Sequence, residues 1–516
     1  MTTKHDAKDR RRPRGLRWRS SVWFVTLVVA LGVTTDLLVY SLIVPIIPFQ
    51  LEHLGYSGVS GLVGWLLFAY SAGIVAFTPP IAYLSERYNA RQIPLLCGQI
   101  AIIGAQIMLM EAPRYWLMVL ARLLQGFSSS VIWVAGLALL CDTVPESSVG
   151  KQLGLAMSGL SIGYLVGPPV SGALYSAFGF RAPFIFGIIV TMVDLIGRLL
   201  LIERSAALKW GFDPAAPPIA VEESEKSETQ KTQIAVSSES DVPAGEKTKS
   251  LDFKDQENSA QPPTQATSSK DVQNIDLETS HSRAEHSGSP PDNLPRPISL
   301  LTVLRNLLTS SRAWATCAST MIYGMILTSQ EPALPLHLQA VWHFNASKVG
   351  LVYIAAVVPT LFSSTLSGWW VDKRGTGAIT VISLLFALPW LVLLIIQKSL
   401  VFFIVVFALS NFAISGTVSA LTTEFATISR RLEGVGYAHV YGAFNLAYGV
   451  GSALGPIIGG QIYDHISQGW MAICLFGTGL CVAAILLAFF YFEDVPIYWQ
   501  LMRKIRRKRG DDGSRT

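Results

Sequence analysis

Gly163-Tyr164-Leu165-Val166-Gly167-Pro168-Pro169-Val170-Ser171-Gly172 lies inside a long apolar run, and Gly451-Ser452-Ala453-Leu454-Gly455-Pro456-Ile457-Ile458-Gly459-Gly460 repeats its spacing 288 residues later. Small residues four apart let helix backbones approach closely in lipid, where packing must supply the association energy. The prolines remove backbone donors and bend the helix. Generic close packing would account for one such stretch, and the near copy argues beyond it. Two more pairs keep the same spacing. Pro45 and Pro48 in VPIIP match Pro332 and Pro335 in EPALP, 287 residues apart, and Glu86 with Arg87 match Asp372 with Lys373, 286 apart, each at the end of an apolar run. Three motifs in one order at one spacing read as an internal duplication into two parallel halves. Secondary transporters that alternate access around a site at the repeat interface are built on that plan.

The surrounding composition agrees. The 516 residues are 51% hydrophobic and only 15% charged, with a mean hydropathy of +0.42, whereas a soluble protein carries about 25% charged residues. That balance argues against a water-soluble enzyme. Crossing about 30 Å of hydrocarbon takes roughly 20 apolar residues in a helix. Twelve runs qualify, near 22–48, 61–84, 93–111, 115–140, 152–177 and 182–202, then 313–338, 348–371, 377–397, 399–428, 436–464 and 469–492. Between the two sets, residues 205–300 are dominated by Ser, Glu, Lys, Gln, Thr and Pro, with Trp210, Phe212 and Phe253 as their aromatics. Such a stretch cannot bury enough apolar surface to fold. The expected fold class is an all-α integral membrane protein with twelve transmembrane helices in two six-helix pseudo-repeats. Its divisions are a basic tail over 1–21, one half over 22–204, a disordered linker over 205–300, the second half over 301–493 and a basic tail over 494–516.

Charge sets the orientation. Eight Lys and Arg residues between Lys4 and Arg19 precede the first run, and six between Arg503 and Arg509 follow the last, which suggests a membrane and not nucleic acid. Arg87, Arg91, Lys151, Lys373, Arg374, Arg430 and Arg431 lie in loops on the side of the tails, against Arg114, Arg181, Lys348 and Lys398 on the other. The positive-inside rule therefore puts both termini and the linker in the cytoplasm. The first run is too long for a signal-peptide core and lacks a small-residue cleavage site, so it is expected to stay as a span. Five cysteines, all in or beside apolar runs, imply no disulfide framework.

The loop Gly368-Trp369-Trp370-Val371-Asp372-Lys373-Arg374-Gly375, the Arg122-x-x-Gln125-Gly126 of the fourth run and the GxxxGPPxSG of the fifth together resemble the signature motifs of the major facilitator superfamily. The last resembles the pattern of its proton-coupled antiporters. A nearer similarity is to the vesicular amine transporter branch and its fungal multidrug-like relatives. It rests on Asp36 nine residues before Pro45, on Glu331-Pro332-Ala333-Leu334-Pro335, on Ala121-Arg122-x-Leu124-Gln125-Gly126, and on Val166-Gly167-Pro168-Pro169 followed by Leu174-Tyr175 and Ala182-Pro183-Phe184. The similarity spans the twelve helices and leaves out the linker and tails. It implies the twelve-helix major facilitator fold and proton exchange at membrane-embedded acids. The chain departs from the amine transporters at Ser71, where they carry a lysine, and at Gly416 and Asn445, where they carry aspartates. Amine specificity is not implied.

A charge near the bilayer centre is expensive and marks function by default. Burial disfavours the charged form of a carboxyl and a nearby cation restores it, so such an acid can hold a proton in one state and a polar substrate in another. For Asp36 and Glu331 the resemblance implies proton and substrate exchange, and the two are expected to face each other across a central cavity. Asn445 and Tyr441 join them as candidate substrate contacts, and Trp133 and Phe444 are read as either cavity lining or packing. Asp194 and Arg198, four apart on one helical face, are expected to form a structural ion pair. Arg122 is read as structural or gating and able to pair with any of these acids. Glu424, Glu86, Arg87, Asp372 and Lys373 are further structural or gating charges. Gly163, Gly167, Pro168, Gly172, Gly451, Gly455, Pro456 and Gly460 form the helix-packing motif. His337 and His439 are read as packing residues. Asn345-Ala346-Ser347 is an N-glycosylation sequon on the side away from the tails. Gly159-Leu160-Ser161-Ile162-Gly163 has nucleophile-elbow spacing but no preceding strand, and no GxxxxGK[ST] loop supports ATP-driven transport.

The sequence thus points to a secondary transporter, not an enzyme. It is expected to be a proton-coupled antiporter expelling a small organic compound across a plasma or vacuole-like membrane, functional as a monomer in the bilayer, with no metal and no cofactor beyond protons. The alternatives are vesicular or vacuolar amine sequestration by proton exchange and a transporter-like receptor signalling through the linker. Facilitated nutrient uptake is disfavoured by the antiporter-like motif.

Overall fold

The computed structural model describes residues 13–88, 91–145, 148–215, 310–429 and 437–503. Twelve helical spans cross the molecule among them, ten long and apolar enough to cross a membrane. The remaining two are span 7, Ser311–Ser329 continued by Leu334–Trp342, and span 11, Tyr437–His465. Both are rich in Gly, Ser and Thr because each is packed against other helices: span 7 lies along span 11, and span 11 along span 2, Val59–Tyr88.

Breaks in the helices are placed by the duplicated prolines. Span 1 runs Val22–Ile43, turns, and continues as Ile47–His53. Span 7 stops at Ser329 and resumes at Leu334. Pro45 and Pro332 each lack a donor and crowd the carbonyl four residues back, which ends the helix at the equivalent place in both halves. Span 4 is interrupted without a proline: Tyr115–Val131 passes into a π-turn, Ile132–Gly136, before Leu137–Thr143. Its counterpart, span 10, divides at Gly416 into Leu400–Ser415 and Thr417–Ser429.

The glycine motifs set the helix pairs within each half. A Cβ at Gly163 would stand 2.7 Å from the carbonyl oxygen of Thr34, pinning span 5 (Val149–Phe178) to span 1. A Cβ at Gly455 would stand 2.9 Å from the carbonyl oxygen of Met325 and one at Gly451 would meet that of Met321, pinning span 11 to span 7. The last glycine of each motif reaches the other half. Gly172 abuts the backbone of Ala346 in span 8 (Ala346–Arg374), and a Cβ at Gly460 would lie 2.5 Å from the Ser60 carbonyl of span 2. These contacts lie at the end of the bundle away from the tails, here called the loop end. There Asp464 Oδ2 accepts from the Gly61 amide at 2.6 Å and Gln339 Nε2 donates to Glu52 at 3.1 Å. One apolar core, including Ile46, Leu51, Val63, Leu334, Leu338 and Trp470, joins the halves there.

At the tail end each half fastens its last residues to the start of its own third span. Glu203 Oε1 accepts from the backbone amides of Arg91, at 3.0 Å, and Gln92. In the second half Glu493 Oε1 accepts from the Gly377 amide at 2.8 Å. Ordered chain continues beyond residue 204, where the linker was expected to begin. Arg204–Leu208 form a short helix, Gly211 turns the chain with φ 74°, and Arg204 pairs with Asp213 at 2.8 Å. The hydrogen bond from the Arg204 guanidinium holds the Asp213 carboxyl below its usual range. The rest of the linker and the outer parts of both tails lie outside the described residues.

Candidate functional site

At mid-depth the broken spans bring polar side chains together between the halves. Tyr40, one turn past Asp36 on span 1, donates its hydroxyl to Glu331 Oε2 at 2.6 Å. Glu331 occupies the break in span 7, just after Ser329 ends the helix. Tyr164, Tyr353 and Tyr448 lie within electrostatic reach of the same carboxyl.

Asp36 turns back into its own half. Its Oδ2 accepts from Ser129 Oγ at 2.7 Å and from Trp133 Nε1 at 3.0 Å, and Tyr70 donates to Ser129 Oγ at 3.0 Å. Ser129 sits just before the π-turn of span 4 and Trp133 within it, a helix irregularity that recurs at functional sites. The rings of Tyr40 and Tyr70 are 4.7 Å apart. A line of contacts therefore runs Asp36, Ser129, Tyr70, Tyr40, Glu331. The two acids do not look at each other across open space as expected, because the donors on span 4 draw Asp36 aside and two tyrosines stand between.

Arg122 fills the angle of this line. It is fully buried, with Nη1 donating to Gln125 Oε1 at 2.6 Å and Nε to the Leu66 carbonyl at 3.3 Å. Its guanidinium carbon stands 5.0 and 4.8 Å from the ring centroids of Tyr40 and Tyr70. Arg122, read as able to pair with any of the acids, instead makes cation–π contact, so the positive charge is held one aromatic ring away from Glu331. Arg122 Nη2, Asp36 Oδ1 and the Tyr353 hydroxyl are buried and make no hydrogen bond among the described residues. A buried polar atom without a partner is costly, and each of the three keeps hydrogen-bonding capacity unused: an acceptor on Asp36, a charged donor on Arg122 and a hydroxyl on Tyr353.

The other candidate residues divide between structure and surface. Asp194 and Arg198 form a buried i,i+4 pair at 3.2 Å, with Gln99 also donating to Asp194, and the Arg198 Nη2 rests where Gly32 leaves room for it. Glu424 is fully buried and bound on several sides: Arg312 Nε at 2.5 Å, Thr376 Oγ1 at 2.5 Å and the Glu493 amide at 3.0 Å. Lys373 lies 3.6 Å over the Trp369 ring. The side chains of Glu86, Arg87, Asp372 and Tyr441 lie outside the described residues. Asn445 is half-buried in span 11, one turn before Tyr448. Ser71, where the amine transporters have a lysine, donates to the Ser452 carbonyl at 3.2 Å and so bridges spans 2 and 11. His337 stacks on Trp470 with centroids 4.3 Å apart. Asn345 is exposed, and its side chain accepts from the Lys348 amide at 3.0 Å to start span 8.

The family model described as Major Facilitator Superfamily matches residues 22–316 and 316–500. The chain belongs to the major facilitator superfamily. Its curated relatives include an MFS-type transporter, ppzB, of Metarhizium rileyi, 27% identical over 483 residues covering 90% of this chain and 94% of that protein. A synaptic vesicular amine transporter of Rattus norvegicus is 32% identical over 141 residues, 27% of each chain. Among solved structures, the human organic anion transporter MFSD10 (TETRAN) superposes with a TM-score of 0.56 at 16% identity, over 92% of this chain and 100% of that one. The nucleoside transporter NupG gives 0.60 at 10% identity, over 90% and 98%. At those identities the structures bear on the fold. The protein is a multi-pass membrane transporter of small molecules, related to both the fungal and the vesicular amine branches.

Proposed function

We propose that this transporter is a proton-coupled antiporter that exports a small organic compound from the cytoplasm, with both termini cytoplasmic, acting as a monomer. The bond from Tyr40 to Glu331 carries this reading. An ionised Glu331 accepts the Tyr40 hydroxyl as a charge-assisted hydrogen bond and ties the halves at mid-depth, where such bonds are about twice as strong as neutral ones. A proton on the carboxyl removes that charge and weakens the tie. A substrate that donates a hydrogen bond, or carries positive charge, competes for the same oxygens. Proton and substrate then take turns at one group, which is the requirement for exchange, while rocking of one half against the other changes the side to which it opens. Carboxyls beside tyrosine rings also favour a cation, so cationic amines belong in the first substrate panel.

The test is uptake into proteoliposomes of labelled cationic, neutral and anionic compounds, with and without an imposed proton gradient. Wild type is expected to accumulate one class only with the gradient. Glu331→Gln keeps the shape and cannot titrate, so it should lose gradient-driven accumulation while retaining counterflow of the substrate. Undiminished gradient-driven uptake by both Glu331→Gln and Asp36→Asn would remove the basis of the proposal.

A further inference from the structure

Away from the mid-depth cluster, the loop end of span 8 carries a cavity of about 220 Å³ lined by Phe344, Lys348, Leu351, Val352, Ala355 and Ile404. Lys348, Leu351, Val352 and Ala355 follow helical spacing and form one face of span 8; Ile404 comes from the first turns of span 10. The opposite face of the same turns is the one committed to the bundle, with Gly350 against the Pro168 backbone and Val349 and Tyr353 buried. The cavity therefore opens outward. Leu351 is 57% exposed, and beside it on span 10 Val401 is 70% and Val405 48% exposed, a surface that water would not tolerate and lipid would.

Two features select the occupant. The volume is many times the roughly 10–15 Å³ that one water needs, room for a stretch of hydrocarbon chain, and its lining below Lys348 is wholly apolar. Lys348 is in the first turn of its helix, with its ammonium 5.5 Å from the Phe344 ring centroid and no carboxylate paired with it among the described residues. A cation at a helix end above an apolar groove is complementary to a phosphodiester with a chain hanging from it.

We propose that this groove binds one phospholipid of the surrounding bilayer, its phosphate on Lys348 and an acyl chain along Leu351, Val352, Ala355 and Ile404. The test uses the full-length protein in nanodiscs doped with phosphatidylglycerol carrying a diazirine on one acyl chain, with the crosslinked peptides mapped. Label is expected on peptides spanning 344–355 and 400–405. Lys348→Gln should lower that labelling about fivefold, as for one lost basic residue at a membrane surface, and Lys348→Arg should restore it. Leu351→Trp, which fills the groove, should abolish it, while Lys398→Gln at the same end should leave it unchanged. Unfolding temperature measured alongside identifies a variant that has lost its fold, and the Lys348 pair then decides. Labelling equal in wild type and Lys348→Gln, equally strong competition by diacylglycerol, or displacement by inorganic phosphate alone would each overturn the proposal. So would labelling blocked by dimer formation, which would make a second copy of the chain the occupant.

Discussion

Deleting one oxygen isolates the work done at the centre of the molecule. Tyr40→Phe keeps the ring contacts with Tyr70, Tyr164 and Arg122 and removes the bond to Glu331. A hydrogen bond to a charged group is worth about 1.5–3 kcal/mol, so thermal unfolding in detergent should shift downward in the ionised state, and the pH dependence of flux should flatten. The pair of buried Glu424 and half-buried Arg312 at the tail end gives a sharper expectation. Arg312→Ala strands Glu424 between Thr376 and the Glu493 amide without its cation, at a cost below the ~3–5 kcal/mol of a fully buried pair, whereas Arg312→Met with Glu424→Gln should recover much of it in the same unfolding assay. Outside the membrane, Asp213 supplies a pH signature. Its carboxyl titrates lower in the folded turn than in the unfolded chain because Arg204 donates to it. The turn is therefore stabilised at and above the ordinary carboxylate range and loses that support as pH falls through the lowered value. The protection of the Ala215 amide, which donates to Asp213 Oδ1 at 3.0 Å, measured as its exchange rate relative to the unstructured chain at the same pH, should be present at pH 7 and lost in strong acid. Asp36, Glu331 and the pair Asp194–Arg198 were legible in the sequence because a charge in an apolar run calls for either a partner or a function. Tyr40, Tyr70 and Tyr164 were not, since aromatics in a span read as packing or interface anchors. The available signal was Tyr40 at i+4 from Asp36, on the same helical face.

At the scale of elements, what prolines and glycines write into the chain was readable, and what backbone geometry alone decides was not. The paired breaks of spans 1 and 7 follow from VPIIP and EPALP. The π-turn of span 4 leaves no mark, because one extra residue per turn changes neither length nor hydropathy of the run enough to notice. Span 10 divides at Gly416, a residue that stood out only as a missing aspartate; a Cβ there would meet Ser383 and Ser363 hydroxyls at 2.9 and 3.1 Å. The duplicated glycines give the element-scale prediction. Gly163→Ala and Gly455→Ala each place a methyl against a backbone carbonyl of the paired span, at 2.7 and 2.9 Å before any adjustment. Each should cost about 1–3 kcal/mol by overpacking, seen as a lower unfolding midpoint. Both should weaken packing within a half, and a cysteine crosslink between spans 1 and 5 or 7 and 11 should slow correspondingly.

For the whole molecule, closure at the loop end rests on contacts that can be locked. Glu52 and Gln339 are bonded across the halves at 3.1 Å. In a background without the native cysteines, Glu52→Cys with Gln339→Cys should be joined by a short cleavable bifunctional thiol reagent, which spans the room the two side chains leave, and flux should stop while the link persists and return on its cleavage. Undisturbed flux through the linked pair would mean that this end need not part during transport. The duplication that builds the two halves is nearly symmetric in its hinges and unsymmetric in its charge. Val44 stands in the first break where Glu331 stands in the second. Put electrically, a break that carries an acid on one side only can exchange a single proton at that position in each cycle. If Glu331 is the one proton carrier and Asp36 keeps its charge through the cycle, export of a neutral compound would move one net charge and respond to voltage by about 2.3 kcal/mol per 100 mV, while a monovalent cation would pass with no current at all.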